Sequence, residues 1–272
     1  MKIFEFRVIV PTRLDKYSIG NRYMNLEYVK SEAGGGEGIE LVQNEKFKND
    51  NEEGQYTYKI FHIKSKIPGF IRWAVPDKYL HFHEKSWNAY PHYNTHNFVP
   101  SLGDDFILKV ESQHIEYRHG MKFPENALKL SEEELKKRKI WYLDIVDGDP
   151  KPSEENLIME GFSCPEAGIS ELKGKDGSYD HSKVPEWTKH YNGDMVCCIK
   201  VVKFHFKWWG LQKAVEKFVT KSVYPKIFTD SHRKLISTSK DWFQLSYDDI
   251  LRLEIEAADK QKEGEGFIKD EE

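Results

Sequence analysis

Thr57, Lys59, Ser112, Lys200 and Glu254 stand where the hydrophobic pattern of the chain calls for apolar residues. In residues 54–63, Thr57 and Lys59 share strand parity with Phe61 and Ile63, and in residues 105–114 Ser112 follows Phe106, Leu108 and Val110 on one face. In residues 194–207, Lys200 precedes Val202, Phe204 and Phe206 on theirs. Alternation at period two points such a set to one side of a sheet, and one side of an antiparallel sheet packs inward. Glu254 repeats the pattern on a helix, lying between Ile250 and Ala258 in a stripe that also holds Leu253 and Ala257. Taken singly, a lysine at a strand end can carry its ammonium out to water along its stem, and a glutamate can pair with a surface lysine. Lysines on two strands, in company with hydroxyls and a helical carboxylate, describe a greasy container with a small polar reader, because a desolvated charge needs a partner. Cations suit a phosphate, hydroxyls and a carboxylate suit a polyol, and the apolar faces suit hydrocarbon. A phospholipid has all three.

The elements that must position these residues follow from periodicity. Strands are expected over 2–10, 39–47, 54–63, 79–90, 105–114, 140–146 and 194–207. A helical pattern over 14–33 runs into Gly34-Gly35-Gly36, a short segment spans 68–74, and a second helix over 211–228 places Leu211, Ala214, Val215, Phe218 and Val219 on one face. The last helix opens with Ser246 as N-cap, Asp249 three residues on and Leu245 with Ile250 as a hydrophobic staple, and ends near Lys262. Residues 147–193, rich in Gly, Pro, Ser and charge, read as a long surface excursion. With no internal repeat and no dividing linker, the economical architecture is one α+β domain over 1–272, a mostly antiparallel sheet with long helices laid against it.

Composition narrows the function. The chain has 272 residues, 32% of them charged, with a net charge of −4, so a general nucleic-acid binder, which carries a basic excess, is disfavoured. No apolar run approaches a membrane span, and Glu5 and Arg7 interrupt the apolar N-terminus, so no signal peptide is visible. Cys197 and Cys198 are neighbours and Cys164 stands alone, which suggests no disulfide framework and a reduced, cytoplasmic protein. GGGEG at 34–38 lacks the GK[ST] of a phosphate loop, the histidines at 81, 83, 92 and 96 come without HExxH or a cysteine pair, and no GxSxG elbow appears. Neither metal nor cofactor is expected. Trp208-Trp209 at the end of a strand puts two indoles on opposite faces. One reading is core packing of one ring with the other capping a turn; the functional alternative is an anchor at a bilayer surface, with Lys203, Lys207 and Lys213 attracting anionic lipid.

Five segments together resemble the soluble, single-domain phosphatidylinositol transfer proteins: GGGEGIE (34–40), GQYTYKIFH (54–62), HEKSWNAYP (83–91), KFHFKWWGLQ (203–212) and DDILRLE (248–254). The resemblance runs from the first strand to the last helix and is loose only over about 115–190. It implies a START-like helix-grip fold, a curved sheet and long helices enclosing one phospholipid, phosphatidylinositol or phosphatidylcholine, carried between membranes without chemical change by a monomer that touches membranes transiently. By the same resemblance Thr57, Lys59, Asn88 and Glu254 hold the inositol ring, and Asn21, Thr95, Ser112 and Lys200 contact the phosphate region. Asn21 and Ser112 stand where the family usually has Gln and Thr, and Tyr93 where it usually has a cysteine. Trp208 and Trp209 would dock to the membrane, the tail from about 263 to 272 would help close the cavity, and Phe106, Leu108, Val110, Val202, Phe204 and Phe206 would form its wall. Two rivals remain at this level: an enzyme on the same cup using Glu254 as acid or base, and a peripheral module that grips a headgroup without extracting the lipid.

Overall fold

The computed structural model describes residues 1–31, 38–62, 69–76, 81–148, 151–154, 157–174 and 179–264. The glycine run at 34–36 and the tail beyond 264 lie outside them. Strand β1 (Lys2–Val10) is buried on both faces beyond its first residue, which is why a strand this apolar tolerates Glu5 and Arg7 only as partners. Arg7 contacts Glu5 at 2.6 Å and Arg138 contacts it at 2.6 Å, so the buried carboxylate is held between two guanidinium groups. Helix α1 (Leu14–Ser31) follows, then β2 (Gly38–Lys48), β3 (Glu53–His62) and the short α2 (Gly69–Ala74).

The strand expected over 79–90 is present, and a strand that the sequence pattern did not show follows it. The structure has β4 (His81–Ala89), a turn, and a further strand, β5 (His92–Phe98). The sequence of β5, HYNTHNF, hides it, because neither of its faces is apolar. Strand β6 (Phe106–Tyr117), helix α3 (Glu132–Lys137), β7 (Arg138–Leu143) and β8 (Met195–Phe206) complete the sheet region. The eight strands run in the order β2-β3-β4-β5-β6-β8-β1-β7, antiparallel throughout except for β1 beside β7. This is the expected α+β architecture, a curved, mostly antiparallel sheet gripped by helices.

The described residues of 147–193 do not form a surface excursion. Met159, Ile169, Leu172 and Trp187 are buried and join the same core as β1 and β8. Their irregular spacing, set by short turns and 3₁₀ pieces, is what conceals them from a periodicity argument.

The helix expected over 211–228 is longer and interrupted. It comprises α4 (Gln212–Phe218), a π turn over Val219–Val223 and α5 (Tyr224–Ser237). Pro225 lies in the first turn of α5, where its missing N–H is tolerated. Val215 is buried as expected, whereas Ala214 is exposed and Glu216 and Thr220 take the inward positions. A short α6 (Ser239–Trp242) leads to α7 (Tyr247–Gly264), whose start carries the predicted capping box: the Asp249 N–H donates to Ser246 Oγ at 3.2 Å and the Ser246 N–H to Asp249 Oδ2 at 2.9 Å.

Helices α1 and α5 lie on one side of the sheet, with Tyr17 packed 4.5 Å from the His114 ring and Phe228 5.6 Å from Phe6. Helix α7 packs on α1. Among the described residues no helix is long and apolar enough to cross a membrane. The three cysteines are buried and free.

Candidate headgroup and lipid site

Residues paired across a sheet point to the same side, so the register reads out the inner face row by row. One row runs Thr57, Ser86, Thr95, Val110, Val202, Phe4. The row on one side of it is Lys59, Glu84, Asn97, Leu108, Phe204, and on the other Gln55, Asn88, Tyr93, Ser112, Lys200, Phe6. Phe106 pairs with Phe206 beyond Leu108 and Phe204. The inner face is therefore divided across strands, polar on β3 to β5 and apolar on β6, β8 and β1, with Ser112 and Lys200 as a polar pair at one end of the apolar half. Phe106, Leu108, Val202, Phe204 and Phe206 are buried and Val110 is half-buried against them.

Within the polar half the hydroxyls form a chain. Ser86 Oγ lies 2.9 Å from Thr95 Oγ1 and donates to Asn88 Oδ1 at 3.2 Å, which links a residue assigned to the phosphate region with one assigned to the ring. Thr57 Oγ1 and Gln55 Oε1 are buried without a hydrogen-bond partner among the described residues, a costly state for polar atoms turned inward. Lys59 is half-buried with Glu84 at 3.8 Å.

Lys200 is 8% exposed, faces Ser112 in register, and has no carboxylate partner among the described residues. Its ammonium lies 5.3 Å from the centre of the Phe228 ring. Burial pushes the lysine below its ordinary pKa. The two buried histidines nearby are held neutral, first by burial and then by the Lys200 charge: His232 falls to about 3 and His114 well below its usual range. His232 accepts from the Tyr17 hydroxyl at 3.0 Å and donates from Nδ1 to the Phe228 carbonyl at 2.6 Å. Nothing in this nest supplies the anion that a buried ammonium requires.

The helices add a second charged pair over the same face. Glu254 of α7 accepts a two-pronged hydrogen bond from Arg22 of α1, Nε to Oε1 at 3.0 Å and Nη2 to Oε2 at 2.5 Å. Asn21, adjacent to Arg22, lies beside the half-buried Tyr93 phenol, which desolvation pushes well above its ordinary pKa. Asn21 thus reaches the Asn88–Tyr93–Ser112 row from above.

Trp208 and Trp209 belong to a different place. From Lys200 to Trp208 the chain advances about 26 Å at strand spacing. Trp208 is half-buried and stacks on Phe206 with ring centroids 6.0 Å apart, while Trp209 is 98% exposed. Lys203 is not available to a lipid surface, since Glu134 holds it at 2.8 Å and Glu111 at 3.5 Å on the outer face. Two pockets open elsewhere, one lined by Asp144, Asp147 and Asp180 and one by Phe47, Trp87 and His96, and neither is lined by any predicted site residue. Among the described residues no group of side chains is arranged to hold a metal ion.

The family model described as phosphatidylinositol transfer protein matches residues 1–259. The chain belongs to this family. It is 37% identical over 273 residues to the phosphatidylinositol transfer protein beta isoform of Rattus norvegicus, covering 98% of this chain and 94% of that one. The human beta isoform is 37% identical over 277 residues with the same coverage. Phosphatidylinositol transfer protein 1 of Dictyostelium discoideum is 34% identical over 262 residues, covering 96% of this chain and 95% of its own. As a phosphatidylinositol transfer protein family member, the chain places Thr57, Asn88 and Thr95 on one continuous polar surface, Ser112 beside Lys200, and Lys59 one row away. Sequence reasoning did not bring Ser86, Glu84 and Arg22 to this surface. Ser86 was open to discovery, because it shares strand parity with Asn88; Arg22 was not, because only the packing of α1 on α7 brings it to Glu254.

Proposed function

We propose that this protein binds one phospholipid, phosphatidylinositol or phosphatidylcholine, against the inner face of its sheet and exchanges it between membranes without altering it chemically. The observation that carries the reading is Lys200, a buried cation with no anionic side chain beside it among the described residues, at the junction of the polar and apolar halves of one surface. A lipid phosphate meets that need, the acyl chains lie along Phe106, Leu108, Val110, Val202, Phe204 and Phe206, and the inositol ring turns to Thr57, Lys59, Asn88 and Glu254. Charge supports a preference for the inositol lipid. Glu84 stands near Lys59 and Arg22 pairs with Glu254, so Lys200 is left for one phosphodiester, and a choline headgroup would add a cation without a carboxylate to meet it.

The carrier works as a monomer in the cytoplasm that docks transiently to a membrane. A two-chain lipid exposes roughly 30 CH₂ groups, on the order of 25 kcal/mol of hydration cost, so exchange is fast only if the chains pass from bilayer to protein without crossing water. Trp209 offers a fully exposed indole for docking. The test is lipid extraction and mass spectrometry of the purified protein, followed by transfer of labelled phosphatidylinositol between vesicles. Intact phosphatidylinositol or phosphatidylcholine at one molecule per chain, with transfer, is the expected result. An empty protein would favour a surface module, and a chemically altered lipid would favour an enzyme.

A further inference from the structure

Arg22 lies outside every residue assigned to the lipid, yet it is the only side chain among the described residues that forms an ion pair with Glu254. The guanidinium is fixed on two sides. It grips both carboxylate oxygens and lies with its carbon 4.3 Å from the Tyr247 ring centroid. Both partners are largely enclosed, with side-chain exposures of 15% for Arg22 and 17% for Glu254. Arg22 sits on α1, which packs on β6, β8 and α7 and sets Tyr17 against His114 on the same face as Ser112, so the pair lies in the helix layer over the face that carries Asn88, Tyr93 and Ser112.

A carboxylate has about four lone-pair sites, and a two-pronged arginine occupies one on each oxygen. The remaining sites still accept hydrogen bonds, and the arginine holds them in a fixed direction. What the arginine removes is the free negative charge. A polyol needs acceptors and no charge; a quaternary ammonium has no N–H to donate and is drawn only by charge or by an aromatic face. Pairing Glu254 with Arg22 therefore keeps what an inositol ring uses and cancels what a choline uses.

We propose that Arg22 is a positioning and specificity-determining residue, which converts Glu254 from an attractor of cations into an oriented acceptor of hydroxyls and so biases the site toward inositol over choline headgroups. The inference rests on the reading of Glu254 as an acceptor for the ring.

The experiment loads the full-length protein from vesicles containing equimolar phosphatidylinositol and phosphatidylcholine and measures the ratio bound by mass spectrometry. Arg22→Met should lower the ratio about tenfold, the scale of one oriented charge-assisted hydrogen bond, with phosphatidylcholine uptake rising in absolute amount. A rise in one lipid is a change that simple loss of structure does not produce. Glu254→Gln should lower phosphatidylinositol uptake without raising phosphatidylcholine. Arg22→Lys, which keeps the charge and loses the fork, should lower the ratio with no gain in phosphatidylcholine, and it carries the test if Arg22→Met does not fold. An unchanged ratio in the Arg22 variants, or equal loss of both lipids, overturns the role of Arg22. If Glu254→Gln also leaves the ratio unchanged, the assignment of Glu254 to the ring has itself failed.

Discussion

Replacing Lys200 by methionine should push two measurements in opposite directions. In lipid-stripped protein the substitution removes a buried ammonium that no carboxylate among the described residues offsets and leaves a side chain of similar length against Phe6 and Phe228. Relief of that desolvation should raise stability by about 1–3 kcal/mol, the range seen when buried charges give way to apolar residues of similar volume. With lipid bound the sign reverses. At an effective dielectric of about 20, an ammonium roughly 3.5 Å from a phosphate oxygen gains about 5 kcal/mol. Removing one partner of a buried pair costs about 3–5 kcal/mol, which corresponds to roughly a hundredfold to several thousandfold weaker retention. Both glycerophospholipids carry the phosphodiester, so both should be lost alike. Urea unfolding of the delipidated protein reads the first effect, and competitive loading from phosphatidylinositol and phosphatidylcholine vesicles reads the second. A Lys200→Met protein that is less stable without lipid and loads both lipids as well as wild type would refute the assignment of Lys200 to the phosphate.

Substitutions on the polar half should discriminate between headgroups: Thr57→Val, Lys59→Met and Asn88→Leu should each weaken phosphatidylinositol loading about tenfold and spare phosphatidylcholine, measured by the same competition. Trp209→Ala should reduce vesicle-to-vesicle transfer while the purified protein keeps its lipid and changes stability by no more than about 0.5 kcal/mol, since the ring is fully exposed. Trp208→Ala should also lose stability, because that ring stacks on Phe206. Stability should fall on acidification. His232 is held near 3, below its ordinary 6.5, so between those values the unfolded chain binds a proton that the folded protein does not, and about 1.4 kcal/mol is lost per pH unit as pH drops. His114 acts in the same sense, while Asp144, pushed up to about 6 by burial, gains a proton in the fold first and opposes them. Denaturant melts from pH 7 to 5 should therefore steepen in Asp144→Asn and flatten in His232→Gln.

Much of this site was legible because strand parity is a strict code. Thr57, Lys59, Ser112 and Lys200 were placed on apolar faces by counting alone, and the ladder register put them on one side of one sheet. The last helix was equally readable, since its capping box and its Ile250 to Ala257 stripe are local signals. What escaped was built from distant partners. β5 carries polar residues on both faces, so the pattern that identifies half-buried strands is missing in the part of the sheet proposed to meet the headgroup. The buried residues of 147–193 have no period, because they enter the core from turns. Lys203 looked like a surface cation until Glu111, across the ladder, and Glu134, from α3, claimed it. Of the two readings of the Trp pair, the structure has one ring packed and the other exposed: Trp208 stacks inward on Phe206 and Trp209 projects fully.

The energetics of exchange then bear on where the protein should open. Exposing the lipid to water costs on the order of 25 kcal/mol, so any route that parts the sheet from its cargo in solution is closed. Helix α7 is anchored differently from the rest of the cup. It packs on α1, buries Ile250 and ties down through Glu254 to Arg22, while Ile255 on its other side is 54% exposed. Lifting it breaks one partly enclosed ion pair and a modest apolar contact, a few kcal/mol at most on the scale of such interactions. That is a small fraction of the hydration cost it circumvents. If the exposed face of α7 and the Trp209 indole find hydrocarbon at the bilayer, part of even that cost is returned, and α7 would part from α1 where the lipid has somewhere to go.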